Sequence, residues 1–274
     1  MMKKVTVLDK LINDDWFEDK TEAKKWIMLR RVLINDALVL DGNQKIDATS
    51  NVRIKEHYKT KYVNKGGLKL EGAISYFNLN ITGKVALDCG ACTGGFTDCL
   101  LIHGASTVYA VDAGHSQLAG KLLQNSNVIN LEETNLADQK LKILDPKPDI
   151  ITLDLSYLSL KTAIPLCKAI LHDTGQILCL IKPIYEVNSA DTRRNGDINH
   201  PYIFKNVLLD LVAAFTELGL TVQGVTNSTV RGNKGVCEFF MLLSFEYSNA
   251  DKIDIDSEID EAIVNAMALD KFKK

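Results

Sequence analysis

The chain has 274 residues, of which 46% are hydrophobic and 24% charged, and its formal net charge is −3. This length is sufficient for one large hydrophobic core and one small one, and no apolar run approaches the roughly 20 residues that a membrane-spanning helix needs. The N-terminus also lacks the apolar stretch of a secretion signal, so we expect a cytoplasmic protein that contacts nucleic acid, if at all, through a local patch of charge.

The first 60 residues are predicted to form a small basic α+β domain. From residue 1 to residue 72 the chain has 15 Lys or Arg against 11 Asp or Glu, a net charge of +4. Apolar spacing and turn residues predict two helices, a hairpin of two strands around an Asn-Asp turn, and a last strand. These elements are a helix over Val5–Asn13, a helix over Thr21–Leu29 with Thr21 as its N-cap, the hairpin within Val32–Gly42, and a strand over Asn51–Lys55.

Basic side chains cluster near the end of the second of these helices. Such a patch on a small domain suits binding to a phosphate backbone, although a solvated charged face has the same composition. The opposite end of the chain is acidic, with 8 Asp or Glu against 4 Lys or Arg over residues 246–274. The candidate contacts of this domain with a nucleic-acid phosphate backbone are therefore Lys24, Lys25, Arg30 and Arg31.

The stretch from Val85 to Phe96 has the pattern of a cofactor-binding turn. A buried strand, Lys84–Leu87, would deliver an acidic residue to its carboxyl end, and the glycines that follow let the backbone pass close to a ligand before a helix over Gly95–His103. The spacing Asp-x-Gly-x-Cys-x-Gly is not that of a dinucleotide site, and it resembles the S-adenosylmethionine loop of Rossmann-like methyltransferases. A plain tight turn gives a similar pattern. The predicted cofactor contacts are Asp88, Gly90, Ala91, Thr93, Gly94, Gly95 and Phe96.

Each strand predicted after this turn is followed by polar residues. Asp112 is placed to accept both ribose hydroxyls of the cofactor, although it could instead only cap the next helix, and Asn135 is placed where such folds hold the adenine. Polar residues at successive strand ends are expected when ligands lie outside the carboxyl ends of an open parallel sheet. The strands are Thr107–Val111 before Asp112, Asn127–Leu131 before Asn135, Asp149–Leu153 before Asp154, and Gly175–Ile181 before Lys182.

The C-terminal half is predicted to complete a seven-stranded sheet. A helix over Ile203–Leu218 is followed by two strands, Leu220–Val225 and Glu238–Phe245, which gives an α/β, Rossmann-like fold class. An amphipathic helix is predicted over Glu258–Leu269, packing on the domain or on another subunit. Its apolar face is predicted to consist of Ile259, Ile263, Ala266 and Met267.

The six cysteines are predicted to be reduced packing thiols. Cys89 and Cys92 form a Cys-x-x-Cys pair, but no second pair and no histidine cluster stands at zinc spacing. We therefore predict no metal site.

The order of these two parts resembles that of the haemolysin-A-like (TlyA) ribosomal RNA methyltransferases, whose catalytic domain is similar to the FtsJ-type 2'-O-methyltransferases. The N-terminal part is similar to the alpha-L RNA-binding module. The resemblance implies an RNA-binding domain over residues 1–60, a linker with the first catalytic helix over 61–82, a methyltransferase domain over 83–247 and an acidic extension over 248–274. It runs from Val5 to Leu243 and is carried by Tyr62–Glu71, Leu87–Leu100, Val111–Leu118, Asp154–Leu160, Ile181–Glu186 and Gly235–Phe239.

The resemblance also implies a catalytic tetrad of two lysines and two carboxylates, namely Lys69, Asp154, Lys182 and Glu238. A ribose 2'-hydroxyl is a very weak acid, so a base must be aimed at it while its oxygen faces the sulfonium methyl. Lys182 is the predicted base, and we expect partial burial and the neighbouring Lys69 to depress its pKa. Asp154 and Glu238 are expected to orient the amines and the sugar, although any of the four could form a structural ion pair.

Further residues are predicted to contact RNA. Tyr157 and Tyr185 could stack on the target base, although core aromatic residues are as good an interpretation. Arg193 and Arg194 lie in a polar loop that resembles the family's substrate loop. Lys65 stands where the family often has Arg, so a bidentate phosphate contact becomes a point charge.

The resemblance implies S-adenosylmethionine as cofactor and cytidine 2'-hydroxyls of bacterial ribosomal RNA, free or in ribosomal subunits, as substrate. Two other function classes stay open. A non-catalytic ribosome-assembly factor could retain the fold, although the complete tetrad argues against it. A haemolysin that acts on membranes is disfavoured, because the sequence has neither a spanning segment nor a basic amphipathic helix.

Overall fold

The computed structural model describes residues 4–14, 16–17, 19–54, 61–115, 117–187, 198–232, 235–245 and 254–269. The chain divides into two units, residues 1–61 and residues 62–274.

In its described residues, the N-terminal unit contains two helices and two small antiparallel sheets. One sheet pairs strands β1 and β4, and the other has the order β3-β2-β5. Apolar side chains of both helices and of the strands form one core. The elements are β1 (Lys4–Thr6), α1 (Val7–Asn13), α2 (Lys20–Met28), β2 (Val32–Ile34), β3 (Ala37–Leu38), β4 (Lys45–Asp47) and β5 (Val52–Ile54).

Both helices of this unit begin at residues other than those predicted. Helix α1 begins at Val7 instead of Val5, because the Thr6 hydroxyl accepts the Asp9 amide at 3.0 Å and caps the helix. The cap of α2 is Asp19, whose carboxylate accepts the Thr21 amide at 2.6 Å, so Thr21 lies inside the helix. In each case a side chain just upstream satisfies the free amides of the first turn.

The predicted hairpin of this unit is present. Strands β2 and β3 are antiparallel, with Leu33 opposite Leu38 and Ile34 opposite Ala37. The connecting residues Asn35 and Asp36 have φ values of 47° and 64°, a left-handed conformation that Asn and Asp adopt more readily than most residues.

The larger unit is an α/β fold around a seven-stranded sheet, as predicted. The strand order is β11-β12-β10-β9-β6-β7-β8, and β12 runs antiparallel to both of its neighbours. The elements are α3 (Gly66–Tyr76), β6 (Val85–Cys89), α4 (Gly95–Ile102), β7 (Thr107–Val111), α5 (Gly120–Leu123), β8 (Val128–Leu131), a 3-10 helix (Gln139–Ile143), β9 (Ile150–Leu153), α6 (Leu160–Lys168), β10 (Gln176–Ile181), α7 (Pro183–Glu186), α8 (Pro201–Glu217), β11 (Thr221–Asn227), β12 (Phe239–Ser244) and α9 (Ile255–Ala268).

Both faces of the central strands are buried, which explains why they read as continuous apolar runs. Side chains alternate between two cores: Leu87 belongs to the core of one face and Ala86 to that of the other. In β10, Cys179 and Leu180 alternate in the same way. Because neighbouring strands such as β6, β7, β9 and β10 run parallel, their carboxyl ends lie at one edge of the sheet. The residues that follow these strands form the candidate site.

The C-terminal helix α9 packs on this unit, against β11 and α8. Its buried face consists of Ile259, Ala262, Ile263 and Ala266, all within the core of one sheet face. Met267 was predicted on that face but is 37% exposed. The buried side chains keep the three- and four-residue spacing of one helix face, and Met267 lies at its margin.

Candidate active site

The glycine-rich turn follows β6 and lies directly against the end of β9. Gly90 has a φ of +84°, and a Cβ atom there would be 2.6 Å from the Asp154 carbonyl oxygen. A larger residue at this position would therefore be both strained and blocked. The turn and the residue that follows β9 thus form one continuous surface.

Asp88 does not stand at the end of its strand as predicted, because β6 extends to Cys89. Its side chain is completely buried and accepts hydrogen bonds from the Thr97 and Thr152 hydroxyls at 2.7 and 3.1 Å. Burial raises its pKa to about 7. Asp88 therefore fastens the turn to the neighbouring strand and helix, and direct contact with a cofactor stays a prediction for its backbone only.

Phe96, also a predicted cofactor contact, has a buried ring that stacks on Phe240 with centroids 6.1 Å apart. Its contact with the cofactor stays a prediction. The ring packs in the core because it lies on the first turn of α4, which faces the sheet.

The rest of the turn is held by a residue outside it. The Asn64 amide nitrogen donates to the Thr93 hydroxyl at 2.6 Å, while its oxygen accepts the Gly66 amide at 2.6 Å. Any Cβ at Gly95 would be 2.1 Å from this Asn64 oxygen. Asn64 thereby joins the start of α3 to the turn.

Asp112 follows β7, and two backbone amides fix its carboxylate. The Cys92 amide donates to Oδ2 at 2.8 Å and the Gly114 amide to Oδ1 at 2.7 Å. The carboxylate is held beside the turn with lone pairs remaining for other donors, as the predicted contact with a ribose diol requires. That contact stays a prediction, as does the role of the exposed Asn135.

The four residues predicted to be catalytic form two ion pairs. Lys69, on α3, lies 2.5 Å from Glu238, which immediately precedes β12, and both side chains are almost completely buried. Lys182 follows β10 and lies 2.5 Å from Asp154, which follows β9. Because β9 and β10 are adjacent parallel strands, this second pair meets at the edge where the turn lies.

Lys65 connects the two pairs electrostatically. Its pKa is lowered, first by burial and then by the charge of Lys69, and Lys182 acts in the same direction. Glu238 and Asp154 oppose this shift. Both ion pairs therefore lie within electrostatic reach of Lys65, so residues far apart in sequence surround one ammonium.

The pairing constrains what Lys182 can do. Its ammonium also donates to the Ser156 hydroxyl at 3.2 Å. An ammonium that donates to a carboxylate and a hydroxyl has no lone pair and cannot accept a proton. The role of Lys182 as a base stays a prediction, and it requires that the amine first loses its own proton.

Two aromatic side chains flank this site. Tyr157 is 89% exposed, has a φ of +69°, and its ring centroid is 5.3 Å from that of Tyr185. An exposed ring on a strained backbone is not a core side chain, so for Tyr157 the structure favours stacking on a base over packing in the core.

The residues predicted to bind RNA are distributed over both units. In the N-terminal unit, Lys24, Lys25 and Arg30 are exposed and Arg31 is half-buried. Arg193 and Arg194 lie outside the described residues.

Sequence reasoning missed three residues of the site: Asn64, Ser156 and Arg231. The first two stand inside the blocks that carry the family resemblance, so their positions offered a signal. Arg231 stands in a polar connection between two strands, where nothing indicates that it is one of the largest fully buried side chains.

None of the six cysteines, all of which lie in described residues, forms a disulfide, and five of them are buried. Among the helices that the structure describes, none combines the length and apolar character needed to cross a membrane.

Comparison with known proteins gives consistent matches. A family model described as FtsJ-like methyltransferase matches residues 62–245. Hemolysin A of Brachyspira hyodysenteriae is 33% identical over 85% of this chain and 97% of that protein. The 16S/23S rRNA (cytidine-2'-O)-methyltransferase TlyA of Mycobacterium tuberculosis is 28% identical over 91% of this chain and 93% of that protein. A solved structure from Streptococcus thermophilus, described as a candidate hemolysin, is 33% identical, covers 97% of this chain and 96% of its own, and has a TM-score of 0.72.

Proposed function

The chain belongs to the FtsJ-like methyltransferase family, and on that premise we propose that it transfers a methyl group to ribose 2'-hydroxyls of ribosomal RNA. The observation that carries the proposal is the presence of two lysine–carboxylate pairs around Lys65, one of which includes Asp154 beside the glycine-rich turn. Amines and carboxylates at a strand-end cleft suit removal of a proton from a weakly acidic hydroxyl.

The methyl donor of this family is S-adenosylmethionine, and the residues around the turn fit it. The absence of a Cβ at Gly90 lets the turn approach the Asp154 backbone closely, and Asp112 is oriented by two amides. We propose that Gly90, Thr93 and Gly94 hold the amino-acid part and that Asp112 holds the ribose. The bound donor supplies an electrophilic methyl group on a sulfonium.

The chain's own residues are proposed to remove one proton from the substrate hydroxyl. In the proposed mechanism Lys182, as a neutral amine, would accept the 2'-hydroxyl proton as the hydroxyl oxygen takes the methyl group, and the donor's carbon–sulfur bond would break to leave a neutral thioether. Asp154 orients the amine, and Lys69 with Glu238 positions the sugar. Lys65 adds a third cation that attracts the adjoining phosphate.

We propose cytidine in bacterial ribosomal RNA as the target, because the TlyA relatives of Mycobacterium tuberculosis and Campylobacter jejuni are named as rRNA (cytidine-2'-O)-methyltransferases. The exposed Lys24, Lys25 and Arg30 of the N-terminal unit are proposed to bind the RNA backbone, and Tyr157 to stack on the target base. A ribosomal RNA substrate, free or within a subunit, places the work of the protein in the cytoplasm.

The proposal is tested by mapping 2'-O-methyl groups on ribosomal RNA from cells with and without the gene. Loss of one or a few methyl groups on cytidine riboses, restored by the wild-type gene but not by one encoding Lys182→Ala, supports it. Identical maps in both strains count against it.

A further inference from the structure

Arg231 is fully buried, with 2% of its surface exposed, yet its hydrogen-bond partners in the described part of the chain are carbonyl oxygens and a sulfur and not carboxylates. A guanidinium has five N–H donors. Each of these donors makes a hydrogen bond to a carbonyl oxygen or to a sulfur. Nε donates to the Leu269 oxygen at 3.0 Å, Nη2 to the Leu269 and Met267 oxygens at 2.8 and 3.0 Å, and Nη1 to the Gly235 oxygen and the Cys237 sulfur at 3.1 and 2.9 Å.

Two of these acceptors lie at the C-terminal end of α9. The last carbonyls of a helix have no partner within the helix, and the helix dipole places partial negative charge there. A buried cation is stabilised at this position without a carboxylate. The contact therefore ties Arg231 to the end of α9 by charge as well as by hydrogen bonds.

The other acceptors flank Glu238. Gly235 and Cys237 stand three and one residues before it, and the Cys237 sulfur also lies 3.4 Å from the Ala266 oxygen of α9. Gly232, next to Arg231, lies so close that a Cβ there would be 2.1 Å from the Glu238 carboxylate. The backbone that Arg231 anchors is thus the surface on which the Glu238 carboxylate rests.

The same backbone also meets the lysines of the site. The Lys65 ammonium donates to the Arg231 carbonyl oxygen at 3.5 Å, and Glu238 holds Lys69. A shift of the Arg231 segment would therefore move Lys65 and the Lys69–Glu238 pair together.

We propose that Arg231 is a positioning residue for methyl transfer and that α9, which lies beyond the part matched by the family model, is the support against which it holds Glu238. The inference rests on the proposed function. It assigns the acidic C-terminal segment a part in building the active site.

The test uses the full chain carrying Arg231→Met or Arg231→Lys, assayed for kcat, KM for S-adenosylmethionine and affinity for RNA. Since small misplacements of reacting groups cost up to about 100-fold in rate, we expect kcat of Arg231→Met to fall about 10- to 100-fold, with KM and RNA affinity within about threefold. Lys has three donors on one nitrogen and cannot bridge both sets of carbonyls, so about a 10-fold fall is expected for Arg231→Lys.

Asp260→Asn is the matched control, because it breaks the exposed Lys205–Asp260 contact that also tethers α9. Its kcat is expected to match the wild type. A wild-type kcat in Arg231→Lys would overturn the inference. If Arg231→Met does not fold, the result for Arg231→Lys is the one that decides. A kcat loss in Asp260→Asn equal to that in the Arg231 variants would also overturn it.

Hydrogen exchange supplies a readout that does not depend on the substrate. The Ser228 amide donates to the backbone carbonyl oxygen of Glu238, and the Gly232 amide donates to that of Val236. Both amides are expected to exchange faster in Arg231→Lys, and unchanged exchange would contradict the positioning role. If the wild-type protein does not methylate ribose but these amides exchange faster in Arg231→Lys, the proposed function is refuted and the positioning of Glu238 by Arg231 is not.

Discussion

Replacing Glu238 by Gln is expected to destabilise the protein strongly. Lys69 and Glu238 are 2.5 Å apart, and their side chains are only 6% and 7% exposed. Removing one partner of such a buried pair leaves an uncompensated charge and costs about 3–5 kcal/mol. At about 2–4 °C per kcal/mol for a unit of this size, Tm should fall by about 6–20 °C.

The assay is urea or thermal unfolding of three variants beside the wild type. The double variant Lys69→Met with Glu238→Leu removes both charges and should recover most of the lost stability, because a buried pair replaced by apolar side chains is often neutral. Asp210→Asn breaks the exposed Lys161–Asp210 pair and should cost less than about 1 kcal/mol.

Two results would refute this reasoning. A Glu238→Gln protein as stable as the wild type would show that Lys69 finds another partner or is not buried. A double variant as unstable as the single one would show that the cost arises from packing and not from the unpaired ammonium.

Three further variants test other parts of the site. Lys182→Ala should bind S-adenosylmethionine and RNA with nearly unchanged affinity but transfer no methyl group, as calorimetry and a methyl-transfer assay can measure; normal turnover would exclude Lys182 as the base. Asp88 has a pKa raised by burial from 3.8 to about 7, so its folded state holds a proton that the unfolded state releases. The stabilisation from the protonated side chain is complete below a pH of 3.8 and is lost as the pH rises through about 7. Asp88→Asn, which stays neutral, should therefore gain stability relative to the wild type as the pH rises from 3.8 to about 7 in urea unfolding; a pH-independent difference would contradict this. Tyr157→Ala should weaken RNA binding by about 1–3 kcal/mol, the range for base stacking, and leave cofactor binding unchanged; equal RNA affinity would rule out stacking.

The sheet could be predicted because its strands carry their own signal. Buried parallel strands are continuous apolar runs, and residues such as Asp154 and Lys182 end them. Strands β1 and β4 were not predicted, since Lys45–Asp47 is short and mostly polar and pairs with a distant partner. The helix starts were misplaced because Thr6 and Asp19 compete as caps with other nearby residues.

The site could be predicted only in part. The family resemblance is confirmed for the methyltransferase part, and it supplied the four ionisable residues. That Lys69 and Glu238, 169 residues apart, form one buried pair is a property of the tertiary fold and not of spacing. Arg231 was missed for the same reason, because its burial depends on where α9 ends.

Methyl transfer at this site is tested most directly by incubating the purified protein with methyl-labelled S-adenosylmethionine and ribosomal RNA, and then locating the label by mass spectrometry of nucleosides. We expect the label on the ribose 2'-oxygen of cytidine, and none with Lys182→Ala. Label on a base, or no label with the folded wild-type protein on free RNA and on both ribosomal subunits, would contradict a ribose methyltransferase built on the two lysine–carboxylate pairs.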